Sequence, residues 1–197
     1  FRAWTNEFSA QRNFELEQTD ADGGLYLDAD ERLNENVIAE VKRIVASGVM
    51  DAQYAFTRKS GAFGKIFSYG VLYPDQVCRL FPRKAVVWVN KVHEHPECKL
   101  SEKHLSGYVT HYTYKDWYEW EGKLCLYTTI WAEDAYKKGK RTTMAGIFQH
   151  SVGAFFKMFV LRRGFLDGGL GIYLCFAHGF YTMLKYLKLY DLQNKRK

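Results

Sequence analysis

Asp28 and Asp30 stand two residues apart, directly after the apolar run Leu25-Tyr26-Leu27. Carboxylates at that spacing reach one divalent cation together. A hard ion such as Mg²⁺ or Mn²⁺ is commonly held by one or two carboxylates plus the phosphates of a substrate. The chemistry they suggest is therefore a metal-diphosphate site. Asp-x-Asp by itself is a common sequence of solvated turns, and its place at the end of an apolar run strengthens the functional reading. Glu94 lies between His93 and His95. His-x-His is a conceivable metal pair, but neither the zincin helix pattern nor a cysteine partner accompanies it, so these histidines read as solvated or acceptor-contacting groups. Arg162 and Arg163 precede Gly-Phe-Leu-Asp-Gly and could reach a diphosphate or a phosphorylated acceptor. A pair snorkelling toward lipid headgroups at a helix end fits them equally well.

The elements that must position these groups follow from pattern. Ser9 reads as the cap of a short helix carrying Arg12, Asn13, Phe14 and Leu16, broken by Asp20 to Gly24. Leu25-Tyr26-Leu27 reads as a buried strand delivering carboxylates at its carboxyl end, the edge at which open α/β sheets bind ligands. Val37, Ile38, Val41, Ile44 and Val45 recur at helical spacing between a cap at Asn34 and a terminating Gly48. Tyr54 and Phe56 alternate ahead of a glycine-bearing loop, Val77 to Phe81 and Ala85 to Val89 read as strands, and Trp117 to Tyr136 as an aromatic helix.

The 197 residues are 47% hydrophobic and 17% aromatic with three prolines, which excludes a disordered or collagen-like chain and allows one domain with an appendage. The four cysteines form no Cys-x-x-Cys pair, which argues against a disulfide framework or a zinc ribbon and suits a reducing compartment. The net charge of +6 is unevenly placed: residues 136–197 hold twelve Lys/Arg against Asp167 and Asp191 alone. Such a block suits phosphates, of nucleic acid or of anionic lipid. The phenylalanines of this region (Phe148, Phe155, Phe156, Phe159, with Val152) fall on one helical face rather than on an RNP-like sheet, and no helix-turn-helix or finger is evident, so no nucleic-acid partner is expected. A second apolar stretch, Ile172 to Leu189, is interrupted by His178, Gly179 and Lys185, and its charge-free run is shorter than the ~20 residues of a span. Two amphipathic helices ending in Lys195-Arg196-Lys197 suggest a membrane-interface anchor; core helices of a soluble bundle are the plainer alternative.

The run Phe8-Ser-Ala-Gln-Arg-Asn-Phe-Glu-Leu-Glu17, followed by Leu25-Tyr-Leu-Asp-Ala-Asp-Glu-Arg-Leu33, resembles the middle of family 2 glycosyltransferases, in which an Arg/Lys-Asn helix precedes a Leu-Asp-Ala-Asp-Glu strand end. The likeness continues in Arg79-Leu-Phe81, Val92-His-Glu94, His111-Tyr112 and Phe155 to Gly168, covering nearly the whole chain. The last segment is similar to the lipopolysaccharide-core branch, which adds a β-linked glucose to an inner-core heptose. The resemblance implies an α/β fold of the glycosyltransferase type A (Rossmann-like) kind. Family members open with a βαβ unit that reads the uracil and ribose of the donor. Nothing in these residues corresponds to that first βαβ unit, and the expectation is that the native protein carries it upstream.

The resemblance also implies roles. Asp30 would coordinate the metal, Asp28 would contact metal or donor ribose, and His111 would complete the metal shell. Arg12 and Asn13 would belong to the donor site near the diphosphate, with Arg162 and Arg163 as further donor contacts. Glu94 would be the general base of an inverting transfer. The expected organisation is a partial catalytic domain over 1–115 and a helical, aromatic and basic region over 116–197. The expected activity is transfer of a sugar, glucose by the resemblance, from a UDP-sugar to a lipid-linked saccharide such as lipopolysaccharide inner core, by a peripheral protein at the cytoplasmic face of a bacterial inner membrane. The alternative is a non-catalytic, membrane-associated saccharide-binding protein of the same fold.

Overall fold

The computed structural model describes residues 8–90 and 94–194; His93 and Lys195-Arg196-Lys197 lie outside them. The chain is mixed α/β and divides into two compact units that are not contiguous in sequence: Phe1–Arg58 with Asp75–His111, and Lys59–Pro74 with Tyr112–Lys197. The helical unit thus takes in 59–74 as well as the residues from Tyr112 onward.

The first unit opens with helix α1 (Phe8–Glu17), which begins ahead of Ser9 and buries it instead of using it as a cap. Strands β1 (Gly23–Leu25) and β2 (Glu31–Leu33) follow, then α2 (Glu35–Ala46), β3 (Gln53–Ala62), β5 (Asp75–Pro82), β6 (Val86–Val89), β7 (His95–Cys98) and β8 (Glu102–Tyr114). Helix α2 is the one the periodicity specifies. Asn34 Oδ1 accepts from Val37 N at 3.1 Å, and Gly48 takes a φ of +66° just past the helix. Its apolar face, Val37, Val41 and Ile44, packs on Tyr54, Phe56, Leu80 and Val109. That approach requires glycine at 107, since a Cβ there would lie 2.6 Å from the Val37 amide nitrogen.

The main sheet runs β1-β5-β3-β8-β2, and β6 with β7 forms a separate antiparallel pair. β1 with β5, β5 with β3 and β2 with β8 are antiparallel. β3 and β8 run the same way, with Gln53 N bonding Ser101 O near one end and Phe63 N bonding Tyr114 O near the other. Two sequence expectations change here. Leu25-Tyr26-Leu27 is not a buried strand: β1 ends at Leu25, Leu25 and Leu27 are exposed, and only Tyr26 turns inward. The cause is that β1 is an edge strand, paired on one side only. Asp28 and Asp30 accordingly sit on a turn closed by Glu31 N to Asp28 O at 2.9 Å. That turn joins strands at opposite ends of the sheet order, so the sheet curls around Glu31, which is fully buried.

In the second unit, β3 turns at Phe63-Gly64, both at positive φ as a type I′ hairpin requires, into β4 (Lys65–Ile66). Three helices follow: α3 (Trp117–Lys137), capped by Asp116; α4 (Met144–Phe156), capped by Thr143 and continued by a π turn over Lys157–Leu161; and α5 (Gly168–Asn194). Ile147, Tyr186 and Leu189 with Ala132 and Ala135 join the three in one core. Gly179 lets α4 lie close to α5, where Ser151 Oγ donates to Gly179 O at 2.8 Å. Asp167 pins the 59–74 segment to this unit: its buried carboxylate accepts from Ser68 N at 3.1 Å and Tyr69 N at 2.7 Å, and its backbone carbonyl accepts from Lys65 Nζ.

Candidate active site

Six residues that the sequence nominated lie in the first unit, and one guanidinium, that of Arg12, joins two of the carboxylates. Arg12 projects from α1 over the indole of Trp88, 4.5 Å from the ring centroid, and donates to Asp28 Oδ1 at 3.0 Å. Glu94, at the entry to β7, places Oε1 3.9 Å from the same Arg12 nitrogen. Asn13, one residue on, grips the backbone of β6 with both amide atoms: Nδ2 donates to Trp88 O at 2.8 Å and Oδ1 accepts from Trp88 N at 2.9 Å. It thereby fixes α1 against the strand whose carboxyl end leads to Glu94.

Asp28 is held from a second side by Arg79 of β5, at 2.9 Å from Oδ2. Burial raises the Asp28 carboxyl, but Arg79 and Arg12 together outweigh it and hold the group below the ordinary carboxylate range. Arg79 also bonds the fully buried Glu31, which Arg58 approaches at 3.9 Å. A chain of alternating charge thus runs Arg58, Glu31, Arg79, Asp28, Arg12, Glu94.

Asp30 is about half exposed and lies across the β2–β8 register from this chain of charge. Glu31 pairs with His111, which sets His111 Nε2 3.2 Å from Asp30 Oδ2. Of the three metal ligands expected, then, Asp30 and His111 meet, whereas Asp28 has both oxygens on guanidinium groups. Among the described residues no group of three or more His, Cys, Asp or Glu side chains is placed to hold an ion. Asp30 and His111 are the two of the three that could share an ion, with other ligands completing its shell.

Arg162 and Arg163 belong to the second unit and are not among the side chains gathered in the first. Arg162 stacks on Tyr73 at 4.7 Å and its carbonyl accepts from Gly70 N at 2.8 Å, while Arg163 adopts a left-handed backbone that turns the chain into Gly164–Asp167. Sequence reasoning missed Glu31, Trp88 and the supporting role of Arg79. The available signal was an arginine inside the otherwise apolar run Val77 to Phe81, since a buried guanidinium demands carboxylates. No family model matches this sequence.

Proposed function

We propose that these residues form the catalytic part of a metal-dependent, inverting glycosyltransferase of the type A fold, moving a sugar, glucose by the resemblance, from a UDP-sugar to a lipid-linked saccharide. The observation that carries the reading is that the Asp-x-Asp turn gives one carboxylate, Asp30, to His111 and the other, Asp28, to an arginine that also approaches Glu94. Asp30 and His111 would hold the divalent cation, which would supply charge neutralisation on the departing diphosphate. Arg12, fixed by Asp28 and by the face of Trp88, presents a preorganised positive charge to the same phosphates. Glu94 accepts the proton of the acceptor hydroxyl as its oxygen attacks the anomeric carbon from the side opposite the leaving group, and that displacement inverts the centre.

The acceptor's lipid directs attention to the helical unit. Met144–Leu161 is long and apolar enough to cross a membrane, with a mean hydropathy of 1.3. Phe148, Val152 and Phe156 form an exposed row on it, matched by Phe176 and Phe180 on α5. Lys140 and Lys185 both approach the Trp131 ring, at 5.1 and 4.9 Å, and neither has a carboxylate partner among the described residues. An apolar face beside uncompensated lysines supports a peripheral protein lying in an anionic interface, at the cytoplasmic face of a bacterial inner membrane in our reading. The non-catalytic saccharide-binding alternative draws support from Asp28, whose oxygens are both engaged.

The deciding measurement is UDP release by the native protein with Mg²⁺ or Mn²⁺ and a lipid-linked saccharide. Asp30→Asn should reduce turnover by orders of magnitude with the fold intact. Glu94→Gln should lower kcat by ~10² to 10⁴ and leave UDP affinity unchanged, because the base meets the acceptor and not the nucleotide. Turnover near wild type in Asp30→Asn would remove the Asp-x-Asp pair from catalysis, and UDP binding without turnover in the native protein would favour the binding role.

A further inference from the structure

We infer that the helical unit carries a binding site of its own for one neutral, polyhydroxylated ring, a single sugar unit, in the cavity between α3, α5 and the turn at Gly70–Leu72. The cavity measures about 170 Å³ and is lined by Tyr114, Trp120, Lys123, Tyr127, His178 and Tyr181 among others. That is about the volume of one pyranose ring, or of roughly six waters at ~30 Å³ each.

The polar groups decide the ligand class. Lys123 is paired with Glu119 at 2.6 Å and also donates to Thr113 O at 3.0 Å, so two of the three ammonium protons are already taken. Burial, then Lys185 and Lys157, holds the His178 imidazole below its ordinary range and leaves it neutral at pH 7. The phenol oxygens of Tyr114, Tyr127 and Tyr181 lie close enough to act on one another electrostatically. None of the three, nor His178, makes a hydrogen bond to the described residues. A phosphate would find Lys123, the one cation among the lining residues, already engaged, and a neutral imidazole beside it. An acyl chain would leave three hydroxyls and an imidazole desolvated without partners, at ~1–3 kcal/mol each. A sugar ring answers both demands: its hydroxyls reach the phenols and the imidazole, and its C–H face rests on Trp120 and Leu124. The site goes beyond the transfer reading and does not depend on it, since it uses none of Arg12, Asp28, Asp30, Glu94 or His111.

The test is saturation-transfer NMR on the full chain with glucose, galactose and mannose, with sorbitol as the open-chain control. At least one cyclic sugar should receive saturation with a millimolar dissociation constant, and sorbitol should not. Tyr114→Phe with Tyr181→Phe keeps both rings, so the fold should hold by circular dichroism, while affinity should fall about tenfold or more. Asp30→Asn, which ends the proposed transfer, should leave this binding unchanged, so the two readings can fail separately. No transfer to any cyclic sugar, equal binding of sorbitol, or an affinity untouched by the double substitution would overturn the site. Dodecanoate bound equally by wild type and double variant, in competition with the sugar, would also overturn it.

Discussion

Glu31 is the residue on which the candidate site depends most, although it touches no substrate in the proposed mechanism. Its side chain is fully buried, and it meets two guanidinium groups, Arg79 in direct contact and Arg58 at 3.9 Å, besides accepting from Asp28 N at 3.3 Å. Removing one partner of a buried pair strands the other charge, which costs ~3–5 kcal/mol, far more than an exposed pair contributes. Arg79→Met should therefore lower unfolding free energy by about that much, read from urea denaturation. Adding Glu31→Gln should recover part of the loss, and strict additivity of the two substitutions would rule out the coupling. Asp28 gives the same network a pH signature. Its carboxyl is depressed in the folded chain, so its contribution is complete above the unfolded value of about 3.9 and is lost as pH falls through the folded one. The stability gap between wild type and Asp28→Asn should be constant from pH 7 to 5 and begin to shrink as pH falls below about 4. A gap that does not shrink at all down to the lowest pH at which the fold persists would assign the effect to packing instead.

Elements differ in how far their own residues specify them. Helix α2 carries a cap, an apolar period and a terminating glycine within fifteen residues, β6 is a plain apolar run and β5 is one interrupted by Arg79, so local pattern suffices for all three. Strand β8 has no such signature: Glu102, Lys103, His104 and His111 are polar, and it is a strand because β2 pairs along it and because Gly107 and Val109 receive α2. This is why His111 could be nominated only by resemblance, and why its contact with Asp30 was not legible. The link of Asp167 to Ser68 and Tyr69 spans 99 and 98 residues, a distance over which periodicity is silent. Asp167→Ala should leave those two amides without an acceptor at ~1–3 kcal/mol, and hydrogen exchange should quicken there before it does in α3. Gly164 belongs to the same corner. A Cβ would meet the buried Cys175 sulfur at 2.3 Å and the Met158 carbonyl oxygen at 3.0 Å, so Gly164→Ala should cost ~1–3 kcal/mol by overpacking, measured as a lower urea midpoint at unchanged slope.

At the scale of the whole chain the uneven charge and the exposed apolar rows make one physical prediction. The row that faces outward is not quite the one the periodicity proposed. Phe155 packs on Phe176 at 4.6 Å and Phe159 on Phe165 at 5.4 Å, whereas Phe148, Val152 and Phe156 are open. Aspartate at Phe155 would thus test the core, and aspartate at Phe148 and Phe156 tests the surface. If that surface seats in a membrane interface, two contributions should separate. Apolar burial, at ~25 cal/mol per Å², is insensitive to salt, while attraction of Lys140 and Lys185 to anionic headgroups decays over a Debye length of ~10 Å at 0.1 M. The protein should sediment with vesicles containing anionic lipid, and high salt should weaken that association without abolishing it. Lys140→Gln with Lys185→Gln should lower low-salt partitioning about thirtyfold, from ~1 kcal/mol per lysine, and leave the high-salt residue nearly unchanged. Phe148→Asp with Phe156→Asp should do the reverse, reducing the fraction that salt cannot release. A folded, monodisperse protein that sediments with no vesicle at low salt would return these helices to the role of an ordinary helical layer and detach the lipid from the acceptor.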